Sequence, residues 1–269
     1  MTPTISICAI VKNEEKNIKD FIDNIKDFAD EVIIVDTGST DGTYEKIERL
    51  SRDNNKIKLF HYFPEGNFHF GKARNFAISK SMKEYVLMLD ADERLSSQLK
   101  KYFRVFLKEK NPKVISVLRK DDLVSHLVEY HERALKRDAN ILYGTDEESR
   151  LHEHLVHNYN AEKFDSPIWH RQRDNHWLHR PQKMLFQMEL EIDRTPKTKS
   201  FLGHLLRGIW AFQFKFRKVY FKQRVYKNGF PGFKYAFLRA FYAFLAQVFV
   251  GLKPKEGYKY WEDPKYKRN

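Results

Sequence analysis

The sequence predicts an α/β protein: a mostly parallel sheet flanked by helices, followed by a basic helical extension. Three observations carry this. The apolar runs Ile5–Val11, Glu31–Val35 and Tyr85–Leu89 are too short for helices and suit strands buried on both faces. Segments with helical spacing separate them, the alternation that builds a parallel sheet with crossover helices. The net charge of +13 is unevenly placed, with +12 of it in residues 201–269. That asymmetry points to two regions with different partners, expected over 1–195 and 196–269, the second a basic aromatic tail.

Each element follows from its own pattern. After Ile5–Val11, Lys12-Asn13-Glu14-Glu15 opens a helix whose Ile18, Phe21, Ile22, Ile25 and Phe28 share a face. Glu31–Val35 ends at Asp36-Thr37-Gly38-Ser39-Thr40-Asp41-Gly42, a polar loop rich in capping residues. Tyr44, Ile47 and Leu50 mark a second helix, and Lys56–Tyr62 a third strand. Phe63–Phe70 reads as a loop. Gly71 then opens a helix with Lys72, Arg74 and Asn75 near its start. Cations there oppose the macrodipole unless an anion such as phosphate binds the free N–H groups. Ser96–Lys110 is a basic surface helix halted before Pro112, and Val114–Leu118 is another strand.

The strand from Tyr85 stops at Asp90, Asp92 and Glu93. Three carboxylates at the carboxyl end of a buried strand repel one another unless something positive lies between them. A hard divalent cation, Mg²⁺ or Mn²⁺, is the expected partner, and ligands of open α/β sheets bind at this end.

Several classes are excluded. Gly38-Ser-Thr-Asp-Gly lacks the Gly-Lys-Ser/Thr of a P-loop, no Gly-x-Gly-x-x-Gly follows the first strand, and no His-Glu-x-x-His occurs. The single cysteine, Cys8, forms no internal disulfide and fits a reducing compartment. The N-terminus has no signal-peptide pattern. Residues 119–180 show no clear period, although they hold eight of the eleven histidines.

Four blocks in order, Ile5-Ser-Ile-Cys-Ala-Ile-Val-Lys-Asn-Glu-Glu, Val35-Asp-Thr-Gly-Ser-Thr-Asp-Gly-Thr, Gly71-Lys-Ala-Arg-Asn and Leu89-Asp-Ala-Asp-Glu, make the chain resemble the family 2 inverting glycosyltransferases of GT-A fold. The likeness covers residues 4–95 well. More loosely, His152-Glu153 and Gly229-Phe-Pro-Gly-Phe are similar to features of the lipopolysaccharide-core glucosyltransferase branch. The resemblance implies that Asp36 accepts a hydrogen bond from the base, that Asp90 lies by the ribose, and that Arg74 helps place the nucleotide. It implies that Asp92 holds the divalent metal and that Glu153 is the general base. His170 is a further candidate ligand of the metal or the diphosphate.

The chemistry agrees with these roles. Transfer from a nucleotide sugar builds charge on a departing diphosphate, which a metal and basic groups offset. The acceptor hydroxyl needs a placed carboxylate to take its proton. The expected partners are therefore a nucleotide-sugar donor and a glycan or glycolipid acceptor.

In the tail, 16 aromatics are interleaved with Lys and Arg between Phe201 and Leu252. The longest uncharged stretch, Ala240–Leu252, has 13 residues, short of the roughly 20 that span a bilayer. The expectation is two amphipathic helices, near 203–228 and 233–251, separated by a turn at Gly229–Gly232. They would lie on an anionic membrane surface through residues 201–252. That places the protein peripherally on the cytoplasmic face of the cell membrane. No RNA-binding motif appears, so no nucleic-acid partner is expected. A catalytically silent sugar-nucleotide or membrane-surface binding module is the alternative reading.

Overall fold

The structure, a computed structural model, describes residues 1–64, 68–122, 124–146, 153–171, 188, 192 and 200–252. The chain forms two compact units, Met1–Lys120 with Glu129–Arg171, and Asp121–Val128 with Gln172–Asn269. The expected boundary at 195/196 lies outside the described residues.

The first unit is built on an eight-stranded sheet. Its β-strands are β1 (Ile5–Val11), β2 (Glu31–Asp36), β3 (Ile57–His61), β4 (Tyr85–Met88), β5 (Glu93–Leu95), β6 (Val114–Asp121), β7 (Glu129–Lys136) and β10 (Glu162–His170). They are ordered β3-β2-β1-β4-β7-β6-β10-β5. The first four are parallel neighbours, while β7 runs antiparallel to β4 and β6, and β10 runs antiparallel to β5. Strands β8 (Leu142–Tyr143) and β9 (Leu155–Val156) form a separate pair. The helices are α1 (Ile18–Ile25), α2 (Thr43–Asp53), α3 (Phe70–Lys80) and α4 (Ser97–Lys110).

Because side chains alternate along a strand, β1 feeds two cores. Ile5, Ile7, Ala9 and Val11 join Phe21 and Ile25 of α1 and Phe103 of α4. Cys8 joins Ile33, Val35 and Ala77 on the opposite face. Burial pushes the Cys8 thiol far up, which keeps it protonated and unreactive. Ser96 caps α4 by accepting from Leu99 N (3.1 Å), and Asn111 ends it in the left-handed conformation.

Two expectations about this unit change. Helix α1 begins at Ile18, not at the first charged residues. Asn13 takes φ 58°, and its Oδ1 accepts from Thr40 N (2.7 Å) while Ser39 Oγ accepts from Asn13 N (3.0 Å). The loops after β1 and β2 are thus laced together at the carboxyl edge of the sheet. The second change is in the unreadable middle, which contributes two long strands, β7 and β10. In β7, Ile115 pairs with Ala134 but Ser116 pairs with Glu132, so Arg133 is the extra residue of a β-bulge. A bulge breaks the period of two and re-aims side chains, which is why the pattern gave no strand there.

In the second unit, α5 (Phe201–Arg217) continues through a π-turn (Lys218–Lys222) and a 3₁₀ turn (Val225–Asn228) to α6 (Gly229–Leu252). Val124, Leu127, Val219, Val225, Tyr235 and Ala236 form its core. Of the break expected at Gly229–Gly232, Gly229 alone takes part, with φ 60° between the 3₁₀ turn and α6, while Phe230, Pro231 and Gly232 lie within α6. The chain reverses earlier, at Gln223–Arg224, where Arg224 has φ 61°. Pro231 sits in the first turn of α6, where its missing N–H has no intrahelical partner to lose. Gly232 is required by contact, since a Cβ there would lie 1.9 Å from Val225 O. By length and composition alone, the helical stretch Val225–Leu252 is long enough to cross a bilayer. The count of 13 uncharged residues is therefore no argument against a span, because the helix runs on through Lys234 and Arg239.

Candidate active site

The candidate site lies in the first unit, at the carboxyl ends of β1, β2 and β4. Asp36 closes β2 and is 2% exposed. Its Oδ1 accepts from Gly38 N (2.8 Å) and Ser39 N (2.9 Å), while its Oδ2 is buried with no hydrogen-bond partner among the described residues. A buried carboxylate oxygen left in this state carries a desolvation cost that a ligand N–H would relieve.

The acidic tip of β4 is divided between two surroundings. Asp90 Oδ1 accepts from Arg74 Nη2 (3.1 Å) and Asp90 Oδ2 from Arg133 Nη2 (2.9 Å). Glu93 is fully buried; its Oε1 accepts from Arg133 Nη2 (2.9 Å) and Arg119 Nε (3.1 Å), and its Oε2 from Asp90 N (3.1 Å). The positive charge that lies between Asp90 and Glu93 is guanidinium. Burial alone would raise the Asp90 pKa. Arg133 and Arg74 outweigh it and hold the carboxyl well below the usual range.

Asp92 points elsewhere. Its Oδ2 lies 3.2 Å from Nε2 of His170, the last residue of β10. The link is made by β5, which pairs Glu93 with His170 and brings the end of β10 to the tip of β4. A hard carboxylate oxygen beside an imidazole nitrogen fits two ligands of Mg²⁺ or Mn²⁺, with phosphate oxygens and water completing the shell. Among the described residues there is no group of three or more His, Cys, Asp or Glu that would cage a metal without such help.

Arg74, on the first turns of α3, gathers the other carboxylates. It is 7% exposed, stands 5.4 Å from the Tyr143 ring centroid, and places Nε 2.5 Å from Glu153 Oε2. Burial raises the Glu153 pKa; Arg74 pulls the other way without cancelling it. The strand pair β8–β9, whose β8 carries Tyr143 and whose β9 follows Glu153, is fixed to α3 by Asn75. The Asn75 amide donates to Tyr143 O (2.9 Å) and accepts from Tyr143 N (2.8 Å). Asn75 is thus engaged in holding the fold, not free for a nucleotide. Nor is the Gly71 N–H at the start of α3 open to an anion, because it donates to His69 Nδ1 (3.1 Å). His152, the other half of the His-Glu pair, lies outside the described residues.

Beside Arg74 and Glu153 opens a cavity of about 500 Å³, whose walls include Tyr130, Glu132, Arg133 and Tyr143. The sequence reading missed Arg133, Arg119 and Tyr143. Their only signal was a density of Arg, His and acids without period, which is what a strand lining a polar cavity looks like when a bulge interrupts it.

A mixed sheet with polar clefts at the carboxyl ends of its parallel strands is the layout of open α/β proteins, which bind ligands at that edge. The sequence matches the model of the family described as Glycosyl transferase family 2 over residues 6–224, and the chain belongs to that family. An uncharacterized glycosyltransferase of Rickettsia conorii is 35% identical over 99 residues, 37% of this chain and 32% of that protein. The glycosyltransferase SunS of Bacillus subtilis is 29% identical over 151 residues, 56% of this chain and 33% of that one. The matched stretches thus span about a third of the length of these curated relatives. Among solved structures, residues 1–349 of S. aureus TarS in complex with UDP-GlcNAc align at 16% identity and a TM-score of 0.47, covering 92% of this chain and 89% of theirs. The mannosyltransferase PcManGT from Pyrobaculum calidifontis, in complex with GDP-Man and Mn²⁺, aligns at 16% identity and 0.49, covering 94% and 73%.

Proposed function

We propose that this glycosyltransferase moves a sugar, with inversion, from a nucleotide-diphosphate donor such as a UDP-sugar to a hydroxyl of a cell-envelope glycan or lipid-linked acceptor, of which lipopolysaccharide core is an example. The observation that carries the reading is the convergence on Arg74 of Asp90 from the tip of β4 and Glu153 from the edge of β9. One side of that arginine faces the donor, the other the acceptor.

Each residue has a physical task. The Asp36 Oδ2 accepts an N–H of the base. Asp90, held ionised by two guanidiniums, accepts a ribose hydroxyl. Asp92 and His170 hold Mg²⁺ or Mn²⁺. When bound, the metal neutralises charge on the departing diphosphate. Glu153 takes the acceptor's proton; its raised pKa makes it a stronger base than a free carboxylate. A single in-line displacement with one carboxylate base inverts the anomeric centre.

The second unit carries this chemistry to a membrane. Exposed Trp210, Phe214 and Phe230 share its surface with Arg and Lys, a composition that suits an anionic interface. The reading places the protein on the cytoplasmic face of the cell membrane, attached through residues 201–252. The deciding experiment titrates UDP and GDP with and without Mn²⁺, then screens nucleotide sugars for hydrolysis. Nucleotide affinity indifferent to the metal would count against the Asp92–His170 site.

A further inference from the structure

The cavity beside Glu153 holds a second carboxylate that the proposed chemistry does not use. Glu132 sits on β7 immediately before the bulged Arg133. Its Oε2 lies 3.1 Å from His157 Nε2, whose side chain is 8% exposed, while Glu132 itself is 35% exposed. A buried imidazole held against one oxygen of a half-open carboxylate fixes the orientation of that carboxylate, which lines the cavity.

The charge around the cavity is also informative. Two guanidiniums, Arg74 and Arg133, and two carboxylates, Glu132 and Glu153, line it. Arg74 is already paired with Asp90 and Glu153, and Arg133 with Asp90 and Glu93, while the ion-pair partner of Glu132 is His157. Among the described residues, an anionic ligand would find both lining guanidiniums committed and would face Glu132. A neutral ring of hydroxyl groups would find a carboxylate acceptor, a base and the rings of Tyr130 and Tyr143. The lining is mostly polar, with two tyrosines and Leu155 among Arg, Glu, His and Ser side chains, which suits a ligand rich in hydroxyls, and a carboxylate can accept from two neighbouring hydroxyls at once.

We propose that this cavity is the acceptor subsite, that it takes a neutral, unphosphorylated sugar ring, and that Glu132, oriented by His157, selects it by accepting from a pair of adjacent hydroxyls. The proposal rests on the glycosyltransferase reading of the same site but makes its own claim about the acceptor. Glu132 binds the ring; Glu153 deprotonates the hydroxyl that reacts. His157 is a positioning residue.

The test is saturation-transfer NMR on the full chain with UDP and Mn²⁺ present. The probes are the methyl glycosides of glucose, galactose, mannose and N-acetylglucosamine, and the corresponding sugar 6-phosphates. At least one neutral glycoside should bind, and tenfold or more tightly than its 6-phosphate. E132Q should weaken it tenfold or more, with unchanged UDP affinity and melting temperature. H157A should weaken it less and H157Q should recover part of the loss, which a merely structural role for His157 would not show. Equal glycoside binding by E132Q, preference for the phosphates, or no glycoside binding at all would overturn the proposal. Wild-type protein that binds a glycoside in an E132Q-sensitive manner but not UDP would uphold the acceptor subsite and sink the donor reading instead.

Discussion

Asp92 Oδ2 and His170 Nε2 lie 3.2 Å apart although 78 residues separate them in the chain. The pair exists because β10 returns antiparallel to the three-residue strand that carries Glu93, Arg94 and Leu95. Asp90, two residues from Asp92, is committed to Arg74 and Arg133. The acidic motif therefore divides: Asp90 belongs to an ion-pair network, and Asp92 to the pair suited to a metal.

Asp92→Ala should accordingly remove the Mn²⁺ dependence of UDP binding. The expected loss is on the order of 100-fold in affinity, near 2.7 kcal/mol. His170→Ala should lose less, about tenfold, since one carboxylate remains. Isothermal titration with Mn²⁺ and with EDTA reads both.

Glu153→Gln should bind donor normally and lose about 10² to 10⁴ in turnover, the usual size of a general-base contribution. Because burial raises the Glu153 pKa and only the carboxylate form accepts a proton, wild-type kcat/KM should fall as the pH drops through that raised value. The limb should lie above the ordinary glutamate range and be absent in the variant. A pH–rate profile with the best nucleotide sugar checks this.

Arg133→Met should cost about 3 kcal/mol. It leaves Asp90 without one partner and the fully buried Glu93 with Arg119 as its one cation among the described residues, and breaking a buried pair from one side is costly. The Asp90 ion pair also sets a pH dependence. Its folded pKa is depressed, so its stabilising contribution is complete above the unfolded aspartate pKa, near 4, and is lost as the pH falls below that. Denaturant unfolding at pH 7 and pH 3 should show a smaller acid-dependent loss in Asp90→Asn than in wild type.

Gly71→Ala should destabilise by about 1 to 3 kcal/mol, because its Cβ would lie 2.2 Å from Gly144 O and force α3 away from β8. The damage should reach the site through Arg74, three residues on, and appear as a lower melting temperature together with weaker nucleotide binding.

The second unit gives a prediction that leaves the site intact. Replacing Trp210, Phe214 and Phe230, which are exposed at 65%, 55% and 75%, with Ser should weaken binding to phosphatidylserine vesicles by at least about tenfold. Nucleotide affinity should not change. Co-sedimentation with vesicles of graded anionic content measures it; equal binding by the triple variant would refute membrane attachment through this surface.

Local pattern was enough wherever one period held. Strands β1, β2 and β4 are apolar runs buried on both faces, and α2, α3 and α4 lie within a residue or two of where their spacing and caps put them. The extended reach of β7 and β10 was not legible, because cavity-lining strands are polar and the Arg133 bulge breaks their alternation. In the second unit the glycine- and proline-rich Gly229–Gly232 read as a turn, and only Gly229, with φ 60°, breaks the helix there. Pro231 fits the first turn of a helix equally well, and Gly232 answers to the close approach of Val225 O.

The sequence by itself determined the parallel half of the sheet, the position of Asp36 and Asp90–Glu93 at its carboxyl edge, and the concentration of charge in the tail, since each depends only on neighbours in the chain. Only the tertiary structure decided which carboxylate each cation meets. Arg74, Arg119, Arg133 and His170 come from α3, β6, β7 and β10, and their partners are set by strand order and by one inserted residue. Ion pairs act over a few ångströms through space, and distance along the chain does not record which side chains the folded sheet brings that close.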